Sequence, residues 1–334
     1  MNIAPEASFY PLRFEPIFQY RLWGGRRLAD WVGSALPGDG PVGEAWLLSD
    51  RADHPSRVAA GPLKGQTIAQ LITRSPAGML GKLAGRFERF PLLLKFLDVQ
   101  KVLSVQVHPR DNQTALIPPG DTGKTEAWVV LEAAPRARIY AGLKPGITAG
   151  DLRTMTARSA DDCLARLLPH RGQSVLIEAG TVHAIGDGIV VFEVQENSDV
   201  TFRLYDWDHV DDATGMTRPL QVEQALACVN FARGAVHPAS PTVESTQPAL
   251  RESLVRCAHF DIWRLSGTAP FAVGVDGMPR VLVCIEGGGH VAHDGIDFAM
   301  EKGAVVLLPA ALGVCRFHPG QSVVLLELGV PNPS

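Results

Sequence analysis

Short apolar runs recur along this chain, and turn residues separate them. Runs at residues 103–108, 126–132, 138–142, 174–177, 190–195 and 200–206 have strand length and strand composition. A second group follows at 260–265, 281–285, 305–308 and 322–328, with Gly287-Gly288-Gly289 and Asp294-Gly295 read as its turns. Three stretches carry helical spacing instead: 26–31, 67–87 with a break near Pro76, and 149–168. The pattern predicts a mainly β protein with helical insertions. Proline-rich residues 236–250 read as a connector between a unit spanning 1–235 and a C-terminal β unit spanning 251–334. The 33 glycines and 25 prolines are dispersed, as many turns require.

Length and charge narrow the picture. A chain of 334 residues holds about two domains at roughly 100–200 residues each. Its net charge of −4, without long runs of one sign, excludes the electrostatic footprint of a nucleic-acid or anionic-membrane partner. A phosphorylated ligand would need a local cluster of cations. The five cysteines, Cys163, Cys228, Cys257, Cys284 and Cys315, form no C-x-x-C pair. Buried thiols in a reducing compartment are expected, rather than a disulfide framework or a thiolate metal site. The first ten residues lack the pattern of a secretory leader, and no apolar run reaches the roughly 20 residues of a membrane span. The expectation is a soluble, cytoplasmic protein.

Four stretches carry chemistry. In Leu103-Ser104-Val105-Gln106-Val107-His108, strand alternation puts the apolar residues on one face and Ser104, Gln106 and His108 on the other. Packing explains the first face; the second needs solvent or a task. Lys124 and Glu126 share a face in Lys124-Thr125-Glu126-Ala127-Trp128, where a solvated ion pair is the ordinary reading. His183 stands in a glycine-bracketed turn after an apolar strand. In the fourth stretch Asp199, Thr201, Arg203 and Tyr205 alternate with Val200, Phe202 and Leu204. Taken together, these stretches offer one carboxylate, two imidazoles and an amide oxygen. That set suits zinc or another divalent first-row ion. Zinc on these ligands keeps about one net positive charge, useful where a negative oxygen develops.

The same residues resemble the type I phosphomannose isomerases, a cupin-fold family. The matching blocks run in order from about residue 14 to 208. They are Trp23-Gly24-Gly25, Gly43-Glu44-Ala45-Trp46, residues 90–98, Leu103 to Pro109, Lys124 to Trp128, Ala179 to Ala184, and Glu193 to Asp199 continuing to Arg203. The resemblance implies jelly-roll barrels and an aldose–ketose isomerase acting on mannose 6-phosphate. It implies one zinc per chain on Gln106, His108, Glu126 and His183. It also implies that Arg203 stabilises the intermediate, that Ser104, Lys95 and Lys124 line the pocket near the phosphate, and that Asp199 is a pocket acid. Asp199, Glu44 and Lys124 are the candidate bases. Trp23 and Trp46 are candidates to line the sugar pocket, with core packing as the alternative. Leu47-Leu48 departs from the polar residues frequent there in the family. The residues after Arg203 are closer to its short bacterial branch, and nothing after about residue 235 matches a block.

Three rivals stay open: a non-haem iron dioxygenase in a cupin barrel, a sugar-binding cupin without catalysis, and an isomerase for a related sugar. His290 and His293 offer a second metal site, but two exposed histidines on a turn-rich hairpin explain them more simply.

Overall fold

The computed structural model describes residues 8–331. The absence of a leader pattern was read from residues 1–10, so that reading falls largely outside the described residues. Eleven strands build the first two sheets. They are β1 (Ile17–Gly25), β2 (Val42–Leu48), β3 (Leu92–Val99), β4 (Val105–Val107), β5 (Glu126–Ala133), β6 (Ile139–Leu143), β7 (Leu164–Leu167), β8 (Ser174–Ile177), β9 (His183–Ile185), β10 (Ile189–Glu196) and β11 (Phe202–Tyr205). One sheet runs β1-β2-β3-β10-β5-β8 and the other β11-β4-β9-β6-β7, with antiparallel ladders throughout.

The two sheets face each other as a jelly-roll barrel of the cupin kind. Leu97, Trp128, Val130, Val175, Ile189 and Val191 of the first sheet pack against Ile139, Ala141 and Ile185 of the second. The opposite face of the first sheet is buried too. Phe96, Val129, Leu131 and Phe192 meet Trp31, Leu71 and Leu80, and also Ile262, Val283 and Leu326 of the C-terminal region. Burial on both faces explains why β3 and β10 read as near-continuous apolar runs. In such strands Lys95 and Glu193 are conspicuous, since a charge enters a dry sheet only with a partner.

Among the described residues six short α-helices fill the margins: α1 (Ala29–Val32), α2 (Ile68–Arg74), α3 (Pro76–Leu80), α4 (Ala149–Arg153), α5 (Ala157–Cys163) and α6 (Val222–Cys228). The 67–87 stretch does break at Pro76, after a reciprocal Thr67–Gln70 cap. The 149–168 stretch is not one helix. Thr156 caps a new turn, and residues 164–167 leave as β7.

The remaining strands form one antiparallel sheet. They are β12 (Thr242–Ser245), β13 (Leu250–Arg256), β14 (Asp261–Gly267), β15 (Phe271–Val273), β16 (Arg280–His293), β17 (Ile296–Glu301), β18 (Val305–Leu308) and β19 (Cys315–Gly329). The expected connector therefore carries an exposed edge strand, β12. Asp294-Gly295 is a turn, with φ 48° and 74°, closing the β16–β17 hairpin. Gly287-Gly288-Gly289 is not a turn. It lies inside β16 at a register shift, where a Cβ on Gly287 would come within 2.0 Å of the Ser322 carbonyl.

Candidate active site and metal centre

Cross-strand register brings the four chemical stretches together. Gln106 on β4 lies between two partners, His183 on β9 and Arg203 on β11. Neighbours across a ladder share a face, so these three present their side chains to the barrel interior. His108 follows directly on β4. From the facing sheet, Glu126 opens β5 opposite Gln195 of β10, and Lys95 of β3 pairs with Glu193. The polar row Ser104, Gln106, His108 does not face solvent: Ser104 and His108 are buried and Gln106 half-buried.

Alternation fails at one residue. A register shift between Arg203 and Tyr205 turns Tyr205 to the Val105–Val107 side, where it packs with Leu204 and Val229. Tyr205 therefore does not share the face of Arg203. The bulge re-aims it, and its hydroxyl donates to Asp208 at 3.0 Å.

Both imidazoles are oriented by backbone carbonyls. Nδ1 of His108 lies 2.8 Å from the Val200 oxygen, and Nδ1 of His183 lies 2.9 Å from the Thr181 oxygen. A carbonyl only accepts, so both Nδ1 atoms carry the proton and both Nε2 lone pairs face the site. Those lone pairs lie 3.3 and 3.4 Å from the two oxygens of Glu126. Both Glu126 oxygens are buried without a hydrogen-bond donor in suitable geometry, although the Lys124 ammonium stands 2.9 Å from one. Three side chains thus converge on a common point with the atoms a divalent cation takes. The Gln106 amide nitrogen lies 3.2 Å from His183 Nε2. Its oxygen, as placed, accepts from the Ser104 hydroxyl at 3.4 Å, and a half-turn of the amide exchanges the two atoms.

Charge states agree with this fit. Burial and the neighbouring Lys124 push His108 down to about 3, and burial also lowers His183, so both imidazoles are neutral. Burial works to raise Glu126, but the Lys124 ammonium outweighs it and holds the carboxylate well below its usual range. Burial opposes charge on Lys124; Glu126 and Glu193 outweigh it and raise its pKa.

Above this cluster opens a cavity of about 440 Å³, lined among others by Trp23, Glu44, Lys95, Ser104, Gln106, Lys124, Asp199 and Arg203. Trp23 is buried, belongs to the apolar cluster under the cavity and also borders the cavity itself. Trp46 is a core residue whose indole donates to Glu44 at 2.7 Å. Asp199 stands exposed at the rim. Two lining residues with roles here, Arg21 and Arg218, gave no signal of their own in the sequence, and Glu193 gave a faint one. Glu193 was a lone acid in an apolar run, and that contrast with Val191 and Val194 was the available clue. It accepts from the Trp128 indole at 2.9 Å and lies 3.2 Å from the Lys95 ammonium. Burial raises its pKa, with Lys95 partly offsetting. Burial also works to raise Glu44, but Lys95, Arg21 and Trp46 outweigh it and hold it at about 2. Arg203 is depressed from its ordinary value by burial and then by Arg218, and its Nε has no hydrogen-bond partner.

Comparison with known proteins accords with this geometry. Residues 12–136 match the phosphomannose isomerase type I catalytic domain. The chain is 36% identical to mannose-6-phosphate isomerase ManA of Bacillus subtilis, over 91% of this chain and 94% of that protein. The chain belongs to the type I phosphomannose isomerase family. A mannose-6-phosphate isomerase of Streptococcus mutans is 33% identical over 94% of this chain and 97% of its own length. The crystal structure of a Bacillus subtilis mannose 6-phosphate isomerase superimposes with a TM-score of 0.86 and 28% identity. That superposition covers 96% of this chain and 99% of the other.

The hairpin histidines lie apart from this chemistry. His290 stacks on His318 with centroids 5.0 Å apart and lies 3.3 Å from Asp297, while His293 lies 3.5 Å from Asp294. Neither belongs to a group of three metal-capable side chains among the described residues. A second such group, Asp111, Glu196 and His259, is internally satisfied. Glu196 accepts from the Thr125 amide at 2.7 Å and lies 3.0 Å from His259 Nδ1. All five cysteines are free thiols, four buried and Cys257 half-buried. No helix among the described residues is long and apolar enough to cross a membrane.

Proposed function

We propose that this chain interconverts mannose 6-phosphate and fructose 6-phosphate by moving a proton between C1 and C2 through an enediol(ate), with one zinc ion held by Gln106, His108, Glu126 and His183. The observation that carries this reading is the convergence of two neutral Nε2 atoms and the Glu126 carboxylate beside Gln106, whose strand neighbour Arg203 has no hydrogen-bond partner at Nε. The set is nitrogen and oxygen without thiolate, which zinc accepts. When bound, the ion supplies a fixed positive field over the substrate oxygens.

The chain's own residues do the rest. Arg203 stays protonated at any working pH and offers a planar fork to a developing oxyanion. Lys124, held charged beside Glu126, adds field from the opposite sheet. Glu44 is a poor base at about 2, because three donors stabilise its charged form. It acts instead as the anchor that orders Arg21 and Lys95. Glu193, raised by burial and set in the wall, is better suited to take the proton, with Asp199 at the rim as the second candidate. Ser104 and Trp23 border the sugar. The apolar barrel floor excludes water from the intermediate. The free thiols suit a reducing compartment, and we assign the enzyme to the cytoplasm.

The test joins metal quantification on the purified protein with exchange of the C2 proton of mannose 6-phosphate into solvent. Stoichiometric zinc and exchange are expected. Iron without exchange favours a dioxygenase, and sugar-phosphate binding without exchange makes the protein a binder.

A further inference from the structure

The cations lining the cavity differ in how far they are already satisfied. Arg21 is forked onto Glu44 at 2.9 and 3.2 Å. Lys95 lies between Glu193 at 3.2 Å and Glu44 at 3.9 Å, and Lys124 lies 2.9 Å from Glu126. A phosphate at Lys95 would displace a buried ion pair and leave a carboxylate unpaired, and Lys124 stands beside the proposed metal ligand Glu126, at the reacting end.

Arg203 and Arg218 are placed differently. After β11 the chain makes an excursion and returns to it. The Gln221 amide donates to the Arg203 carbonyl at 2.9 Å, and the Arg203 amide donates to the Gln221 side chain at 3.1 Å. That double tie brings Arg218 back beside Arg203 on the cavity wall. The excursion is pinned across the mouth by the Tyr20 hydroxyl, which donates to Asp211 at 2.8 Å. Buried Asp206 accepts from Arg218 through Nε, at 2.8 Å, and through Nη2. This clamp fixes the guanidinium plane and leaves Nη1 without an acceptor among the described residues. Arg203 has no carboxylate within ion-pair distance among the described residues, and its Nε is unpartnered.

We propose that Arg218, held in position by Asp206, is the phosphate-recognising residue of this site, presenting Nη1 beside Arg203 to the dianion while the sugar carbons lie toward Gln106. Two adjacent guanidiniums repel until an anion joins them, and their flat donor forks match phosphate oxygens. Lys95 and Lys124, on the cavity wall, then serve the reacting end of the substrate.

This assignment rests on the isomerase reading, so its test includes a readout independent of turnover. Inorganic phosphate is titrated calorimetrically into zinc-loaded wild type and Arg218→Gln, and steady-state kinetics with mannose 6-phosphate run in parallel. Arg218→Gln is expected to weaken phosphate binding and raise KM by about ten- to a hundred-fold, the range of charge-assisted hydrogen bonds. Zinc content and kcat stay near wild type. Unchanged phosphate affinity and KM overturn the proposal, as does a fall in kcat at constant KM. A wild type that binds phosphate through Arg218 without isomerising sinks the isomerase reading and leaves the phosphate site standing. Arg218→Lys keeps the charge and loses the fork. It is expected to give intermediate values for both quantities, and wild-type values for both would overturn the proposal even if the glutamine variant fails to fold.

Discussion

The N-terminal barrel and the C-terminal sheet are both antiparallel, yet their inward positions differ in kind. Inside the C-terminal sheet stand Leu265, Phe271, Leu282, Val306, Phe317 and Leu325, all buried and apolar. Its one buried charged side chain among the described residues is Glu327, satisfied by Arg251 at 2.6 Å and by the Gly274 amide at 2.7 Å. Half of the barrel interior is similarly apolar. The other half holds Lys95, His108, Lys124, Glu126, His183 and Glu193, every one buried. A dry sheet tolerates charge only where each charge has a partner. The barrel meets that condition with paired charges, and His108, Glu126 and His183 among them form a group that could hold a metal ion. The difference separates an interior built for packing from one built for chemistry.

The contrast is most sharply tested by removing a ligand. His183→Ala takes away one oriented Nε2 and leaves Glu126 facing a gap. Turnover is expected to fall roughly a thousand-fold or more, matching the several kcal/mol a Lewis acid supplies. Metal content measured on the same preparation should fall with it. Full occupancy would remove His183 from the ligand set.

Arg203→Ala follows in size. It removes the guanidinium beside Gln106 without touching the three converging groups. We expect kcat lower by about a hundred- to a thousand-fold with zinc content unchanged. Loss of zinc in this variant would make Arg203 structural. On the other side of the comparison, Phe317→Ala removes a fully buried ring from the C-terminal core. It should cost about 3–5 kcal/mol of stability by urea denaturation, with activity per folded molecule unchanged. A matching loss of kcat would tie the C-terminal sheet to catalysis.

These experiments also bear on what the chain made legible. Gln106, His108, Glu126 and His183 could be read because polar residues at strand period interrupt apolar ones, which packing alone does not produce. Arg21 and Arg218 could not. An arginine in a mixed segment looks like surface, and only the return of the chain to β11 gives Arg218 its place. Tyr205 was assigned to the wrong face because a bulge carries no fixed sequence mark. The glycine triplet was read as a turn because the same residue type serves a kink inside a long strand. Strand positions were read more reliably than the 149–168 helix, whose apolar spacing continues past the Thr156 cap into β7.

The smallest of the expected effects isolates the role of charge in the barrel wall. Glu44 is held at about 2, below the usual carboxylate value of 4.5, because Lys95, Arg21 and Trp46 outweigh burial. A depressed folded pKa means the stabilisation is fully present above the unfolded value. It is lost as pH falls from about 4.5 toward 2, and it amounts to about 3 kcal/mol. Glu44→Gln should therefore be less stable than wild type near pH 7, with the gap narrowing as pH drops through this window. Glu327→Gln serves as the partner experiment. It breaks the ion pair between buried Glu327 and half-buried Arg251 and should destabilise the fold while sparing KM and kcat. Glu44→Gln should also raise KM, because Arg21 and Lys95 lose the carboxylate that orders them. A pH-independent gap for Glu44→Gln would mean that folding leaves the Glu44 carboxylate at its unfolded pKa, with its donors only cancelling burial. A kinetic defect in Glu327→Gln would erase the division between the two interiors.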